Sequence, residues 1–149
     1  MNPWDFRHGG AVMRYEELEH TADLRLKVYG ADERELFANA AFALFDTLAD
    51  LSGVREEVTD EVAAEGADLE ETLVNFLGEL LYRFDGEGRV YRSCRVVELD
   101  SRHVRAALSG EPFEAARHEA KTAIKAVTFH DVQISRGGDG LSVVITCDT

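Results

Sequence analysis

Cysteine, proline, positive charge and long apolar runs are all scarce in this sequence, and each scarcity excludes something. Only two cysteines occur in 149 residues, Cys94 and Cys147. They stand far apart in stretches patterned like strands. Two isolated thiols build neither a zinc framework nor a disulfide scaffold, so both read as buried, reduced side chains. The two prolines are Pro3 and Pro112, so no proline-rich linker marks a domain boundary. No apolar run approaches the roughly 18 residues that span a bilayer. The opening MNPWDFRHGG lacks the apolar core of a secretory signal. The expectation is a cytoplasmic protein with no membrane contact.

Cations are outnumbered, with 16 Lys and Arg against 29 Asp and Glu and a formal net charge of −13. So acidic a chain is repelled by a phosphate backbone at long range. Direct tight nucleic-acid binding is therefore not expected, whereas a cation or a basic protein partner fits. Familiar catalytic patterns are also missing. There is no G-x-S-x-G elbow, no P-loop, no G-x-G-x-x-G and no D-x-D-x-D-G calcium loop. Nothing supplies a nucleophile with an adjacent base.

What is present is a globular composition, 45% hydrophobic and 30% charged. The length suits one core. Residues 1–12 read as an N-terminal extension and 13–149 as a single domain, with no internal repeat. Two segments carry helical periodicity. In Asp32–Asp50, Leu36, Phe37, Ala40, Ala41, Leu44, Phe45 and Leu48 recur at helical spacing. Asp68–Asp85 repeats the pattern and stops at Gly86 and Gly88. Asp32 with Glu35, and Asp68 with Glu71, form acidic capping boxes. Strands are expected at 24–29, weakly at 54–65, and as a hairpin at 90–99 and 103–108. Further strands are expected at 123–129 and, around the turn RGGDG, at 132–135 and 141–147. The predicted fold class is α+β: a two-layer sandwich of two main helices on a mixed or antiparallel sheet.

Polar features gather at strand ends. In LEHTADLRLKVYG, His20 and Asp23 precede an alternating strand. In KAVTFHD, Lys125 and His130 flank another, and the chain closes on Cys147-Asp148-Thr149. Carboxylates crowded at the terminus repel unless a cation joins them. Oxygen donors suit Ca²⁺ or Mg²⁺. Asp23 would add an oxygen if the first and last strands are neighbours, with His20 orienting. An HxxD pair also forms a plain turn or N-cap. His130 equally reads as a structural residue after a strand, and Lys125 as a surface cation or a contact for carboxylate or phosphate. A small metal-dependent hydrolase built on His20, Asp23 and His130 stays open at this point.

Five ordered blocks carry a resemblance: EHTADLRLKVYG, ELFANAAFALFDTLAD, TLVNFLGELLYRFD, IKAVTFHDV and the final DT. In that order, over residues 14–149, they resemble the archease family. The resemblance implies a non-enzymatic protein activator of the RtcB-type tRNA-splicing RNA ligase, which joins a 2′,3′-cyclic phosphate to a 5′-hydroxyl using GTP and Mn²⁺. It implies promotion of ligase guanylylation and of multiple turnover. It also implies a metal site, usually described with Ca²⁺ (Mg²⁺ or Mn²⁺ being alternatives), held by Asp23, Asp148 and Thr149. His20, Lys125 and His130 become supporting or partner-contact residues. A chaperone-like role toward a tRNA methyltransferase is a second implication. One position departs from the family pattern: Ala123 stands where a carboxylate often precedes Ile-Lys-Ala, so no acidic side chain acts there.

Overall fold

Both helices form where capping chemistry places them. The computed structural model describes residues 13–18 and 23–149; the expected extension over 1–12, and His20, lie outside the described residues. Helix α1 spans Glu33–Leu48 and helix α2 spans Leu69–Asp85. Asp32 and Asp68 are extended N-caps whose carboxylates accept from Glu35 N–H (2.9 Å) and Glu71 N–H (2.8 Å). Each satisfies a donor that the first helical turn leaves orphaned.

These caps belong to a repeated unit. Gly-Ala-Asp-x-x-Glu-x-x-x-Asn occurs at 30–39 and again at 66–75. In both copies the glutamate accepts from the alanine N–H, Glu35 from Ala31 and Glu71 from Ala67. In both, the asparagine amide donates back to the residue before the glycine, Asn39 to Tyr29 O (2.7 Å) and Asn75 to Glu65 O (2.8 Å). A Cβ on Gly30 or Gly66 would lie 2.5 Å from the backbone nitrogen of Leu36 or Thr72. Only glycine lets the strand end approach the helix start so closely. The chain thus contains two copies of one strand–turn–helix clamp, a local repeat not anticipated at the scale of whole segments.

The strands, in chain order, are β1 Tyr15–Leu18, β2 Leu24–Gly30, β3 Val58–Glu65, β4 Arg89–Leu99, β5 His103–Pro112, β6 Ala126–Val127, β7 Ser135–Gly137 and β8 Gly140–Asp148. They make two antiparallel sheets. One runs β1-β2-β8-β6, with β7 also paired to β8; the other runs β3-β5-β4. The α+β class is as expected, with its antiparallel sheet divided in two. Helix α1 packs against β2 of one sheet and β4 of the other. That is why Leu36, Phe37, Ala41 and Phe45 are all buried on a helix with little amphipathic contrast. Helix α2 packs on β3, β4 and β6.

The expected strand over 123–129 shrinks to Ala126–Val127. The preceding chain gives its hydrogen bonds to the end of α1 instead. Lys121 N–H donates to Leu48 O (2.9 Å) and Thr122 N–H to Thr47 O (3.0 Å). Lys121 and Lys125 therefore do not share a strand face, and Lys121 Nζ donates to Asp46 O at 2.6 Å. The RGGDG hairpin forms, but Val132 and Ile134 lie outside its strands. Among the described residues no helix is long and apolar enough to cross a membrane.

Candidate functional site

The predicted strand-end residues Asp23 and Asp148 flank the last paired residues of β2 and β8 in the first sheet. β2 and β8 run antiparallel with Leu24 opposite Cys147. Asp23 and Asp148 follow one step further out along the two strands, beyond the last paired residues. Leu24 and Cys147 are buried, so strand alternation turns the next residue on each strand to the other face. Asp23, Asp148 and Thr149 are all exposed. β6 closes the far side of β8, with Ala126 opposite Asp148. Lys125 N–H donates to Asp148 O (2.8 Å), and Thr128 N–H donates to Thr146 O (2.9 Å). The Asp148 carbonyl is thereby occupied.

The neighbouring thiol registers the charge. Burial, and secondarily the Asp148 carboxylate, push Cys147 up to about 12. Cys147 is fully buried and packs in the core. Cys94 is pushed up to about 12 by burial alone. Two buried thiols, as expected, leave the tip with oxygen donors.

The sequence-predicted residues do not all converge. Asp23, Asp148, Thr149 and the Lys125 backbone meet at one sheet end. His20 lies outside the described residues. His130 sits in the exposed segment between β6 and β7, where its Nε2 lies 3.1 Å from Asp131 Oδ2. Asp131 there has a positive φ of 51°. Among the described residues, no group of three or more His, Cys, Asp or Glu side chains could hold a metal ion. The hard oxygen donors exposed at this sheet end are Asp23, Asp148 and Thr149. For Ca²⁺, which takes 6–8 oxygens, that set is incomplete and leaves positions for outside ligands.

Sequence reasoning missed a buried polar cluster. Glu111 Oε2 accepts from Arg55 N–H (2.7 Å) and lies 2.9 Å from His118 Nε2. Its other oxygen pairs with Arg117. The Arg55 N–H, then His118 and Arg117, hold the Glu111 carboxyl down to about 2. A glutamate before a proline at a strand end carries no signal of this kind.

Two antiparallel sheets bridged by two capped helices, with carboxylates gathered at one sheet end, define a small α+β protein whose candidate chemistry rests on hard oxygen donors. The family profile described as "Archease protein family (MTH1598/TM1083)" matches residues 15–149. The chain belongs to the archease family. It is 38% identical over 132 residues to "Protein archease" of Pyrococcus furiosus, covering 87% of this chain and 93% of that one. It is 37% identical over 139 residues to the protein of the same name from Methanosarcina acetivorans, covering 91% and 95%. Among solved structures, Methanobacterium thermoautotrophicum protein 1598 superposes with a TM-score of 0.77 at 28% identity, covering 91% of this chain and 99% of that one. A Thermotoga maritima structure described as an archease and possible chaperone gives 0.64 at 21% identity, covering 93% and 99%, and shares the fold.

Proposed function

We propose that this protein activates an RtcB-type RNA ligase, promoting its guanylylation and repeated turnover through the acidic tip. The observation that supports this reading is the β2–β8 register, whose last pair, Leu24 with Cys147, puts Asp23 and Asp148 at the same end of the sheet. These residues would hold a divalent cation, Ca²⁺ or else Mg²⁺ or Mn²⁺. Such an ion, when bound, supplies Lewis acidity and a bridge to oxygen ligands of a partner. The residues themselves do simpler work. The Lys125 N–H fixes the Asp148 main chain, β2 fixes Asp23, and both carboxylates face outward, where a partner reaches them. An activator shifts its target only by binding one state of it more tightly than another. The tip therefore has to contact a region that differs between the ligase's resting and nucleotide-ready states.

The test is multiple-turnover ligation and guanylylation of the cognate ligase with wild type, Asp23→Ala and Asp148→Ala. Loss of stimulation in both variants, with folding intact, is the expected result. Stimulation equal to wild type in both would dismiss the acidic tip. Stimulation of a tRNA methyltransferase but not of a ligase would move the protein to the chaperone-like reading.

A further inference from the structure

Each sheet ends on a strand that packs beside α2. β3 ends one sheet, paired to β5, and β6 ends the other, paired to β8. Both line one groove of about 450 Å³, inside the roughly 300–1,000 Å³ range of ligand clefts. β3 contributes Ala63 and Glu65, the chain at β6 contributes Val127 and Phe129, and α2 contributes Gly78 and Glu79. The Phe129 ring is 58% exposed.

Both strands bring to this groove backbone that their own sheets do not use. In an antiparallel ladder, successive residues turn their N–H and C=O alternately toward the partner strand and away from it. Gly66 N–H donates to Arg102 O at 3.0 Å, one step beyond the pairing of Glu65 with His103. The even-numbered residues of β3 therefore turn toward β5, and the odd-numbered ones turn outward. Two bonds from α2 agree: Glu65 O accepts from Asn75 at 2.8 Å, and Glu61 O from Arg83 at 3.5 Å. Ala63 lies midway between Glu61 and Glu65. The part of α2 midway between Asn75 and Arg83 is Gly78-Glu79. Glycine has no side chain to reach across, and Glu79 is paired with Arg83 at 3.5 Å. The outward N–H and C=O of Ala63, an exposed residue, thus have no partner among the described residues. On the β6 side, Thr128 N–H donates to Thr146 O at 2.9 Å. Val127, one residue back, therefore turns its N–H and C=O away from β8.

Gly78 keeps the groove open. Glycine is a poor helix former, yet it stands in the interior of α2. A Cβ there would meet nothing within 4 Å, so no close packing requires it.

Unused backbone on two facing strands fits an extended chain, which carries N–H and C=O groups on both its edges. We propose that the groove takes an extended segment of a protein partner as an added strand, with apolar side chains against Val127 and Phe129 and basic residues at its flanks. Charge sets the flanks, because both charged side chains that line the groove, Glu65 and Glu79, are acidic. Charge also disfavours a second copy of this chain, which would bring a further formal −13. Val127 lies opposite Cys147, the neighbour of Asp148, so the groove adjoins the acidic tip. The inference nevertheless stands apart from the ligase reading, and its test uses no ligase.

That test titrates full-length ¹⁵N-labelled protein with a blocked Gly-Arg-Val-Thr-Val-Arg-Gly peptide, and with a twin carrying glutamate at both arginine positions. Main-chain bonds supply the affinity in strand addition, so a generic sequence suffices. The expected result is saturable shifts at residues 63–65, 75–79 and 127–129, with hydrogen exchange slowed at the Ala63 and Val127 amides. Cations merely condensing on the acidic surface slow neither amide. The acidic twin should bind roughly tenfold or more weakly. Gly78→Leu fills the groove and should weaken the basic peptide by a similar factor. Leucine is the better helix former and its Cβ meets no clash, so this variant keeps its fold. If it does not, Phe129→Ala, at an exposed side chain, carries the same expectation. Unsaturable or scattered shifts, unslowed Ala63 and Val127 amides, equal binding of the acidic twin, or unchanged affinity in the folded groove variant would each overturn the proposal. Self-association through these residues without peptide would overturn it too, assigning the groove to a second copy.

Discussion

The His118 imidazole and the Glu111 carboxylate meet 2.9 Å apart, with neither side chain open to solvent. His118 Nδ1 accepts the Glu114 N–H at 2.8 Å, so the ring hydrogen sits on Nε2 and points at Glu111. The pair fastens the crossing that leaves β5 and travels past the end of α1 to Lys125. It acts at a distance from the acidic tip, on the chain that delivers β6 to it.

His118→Ala removes that anchor. It leaves the Glu114 N–H without an acceptor and Glu111 without one donor. Such losses cost on the order of 2 kcal/mol, which for a chain of this size lowers Tm by roughly 4–8 °C. Circular dichroism melts of the two proteins measure it. A shift below about 1 °C, well under that range, would mean the crossing is held by its backbone bonds alone.

Glu111 also sets a pH dependence. Its folded carboxyl is held at about 2, against an ordinary 4.5, by the Arg55 N–H first and by His118 and Arg117 after it. A depressed carboxyl contributes stability that is fully present above its unfolded value and lost as pH falls toward its folded one. Wild type should therefore exceed Glu111→Gln in stability by a gap that is full at pH 6 and narrows as pH falls from 4.5 to about 2. Urea melts at pH 6, 4, 3 and 2 follow it. A gap independent of pH would place the Glu111 contribution in packing rather than charge.

The acidic tip makes a prediction that needs no partner. If Asp23, Asp148 and Thr149 hold a cation, Ca²⁺ at about 100 times its Kd raises stability by about 2.7 kcal/mol. Asp23→Asn or Asp148→Asn should abolish most of that rise while leaving the metal-free melt nearly unchanged, because both side chains are exposed. Melts with and without Ca²⁺, and with a chelator, measure it. Equal stabilisation of wild type and both variants would place the ion elsewhere.

Helix starts were legible because capping is local: Asp32 and Asp68 each signal their helix within four residues. That Asp23 and Asp148 lie at one sheet end follows from β2 pairing with β8, which the alternation of either strand alone could not reveal. The division into two sheets was not legible, because strand pairing depends on α1 packing against both. The duplicated clamp leaves only a faint trace in the sequence, because its identity is confined to Gly, Ala, Asp, Glu and Asn within ten residues. The strand expected over 123–129 failed for a related reason. Its β-branched pattern is genuine, but backbone groups before Ala126 bond to α1 residues far off in sequence.

A close backbone approach between β4 and β5 offers a last test. Gly110 of β5 lies opposite Tyr91 of β4, beside a register shift between Tyr91 and Ser93. A Cβ there would fall 1.9 Å from Val90 O and 2.7 Å from Tyr91 Cα. Both are backbone atoms, so no side-chain rotation relieves the clash. Tyr91 in turn packs edge-on against Phe45 at 5.4 Å and donates its hydroxyl to Asp60 at 2.5 Å. Gly110→Ala must move β4 and with it that aromatic contact. The expected loss is at or above the upper end of the 1–3 kcal/mol seen for overpacked cores, roughly 3 kcal/mol or more. Gly137→Ala is the control. It sits in exposed β7, where the nearest atom to a new Cβ is Gly140 O at 4.0 Å, and its effect should stay within about 0.5 kcal/mol. Urea midpoints of the two variants decide it. Equal midpoints would show that β4 and β5 are not pressed together at this crossing.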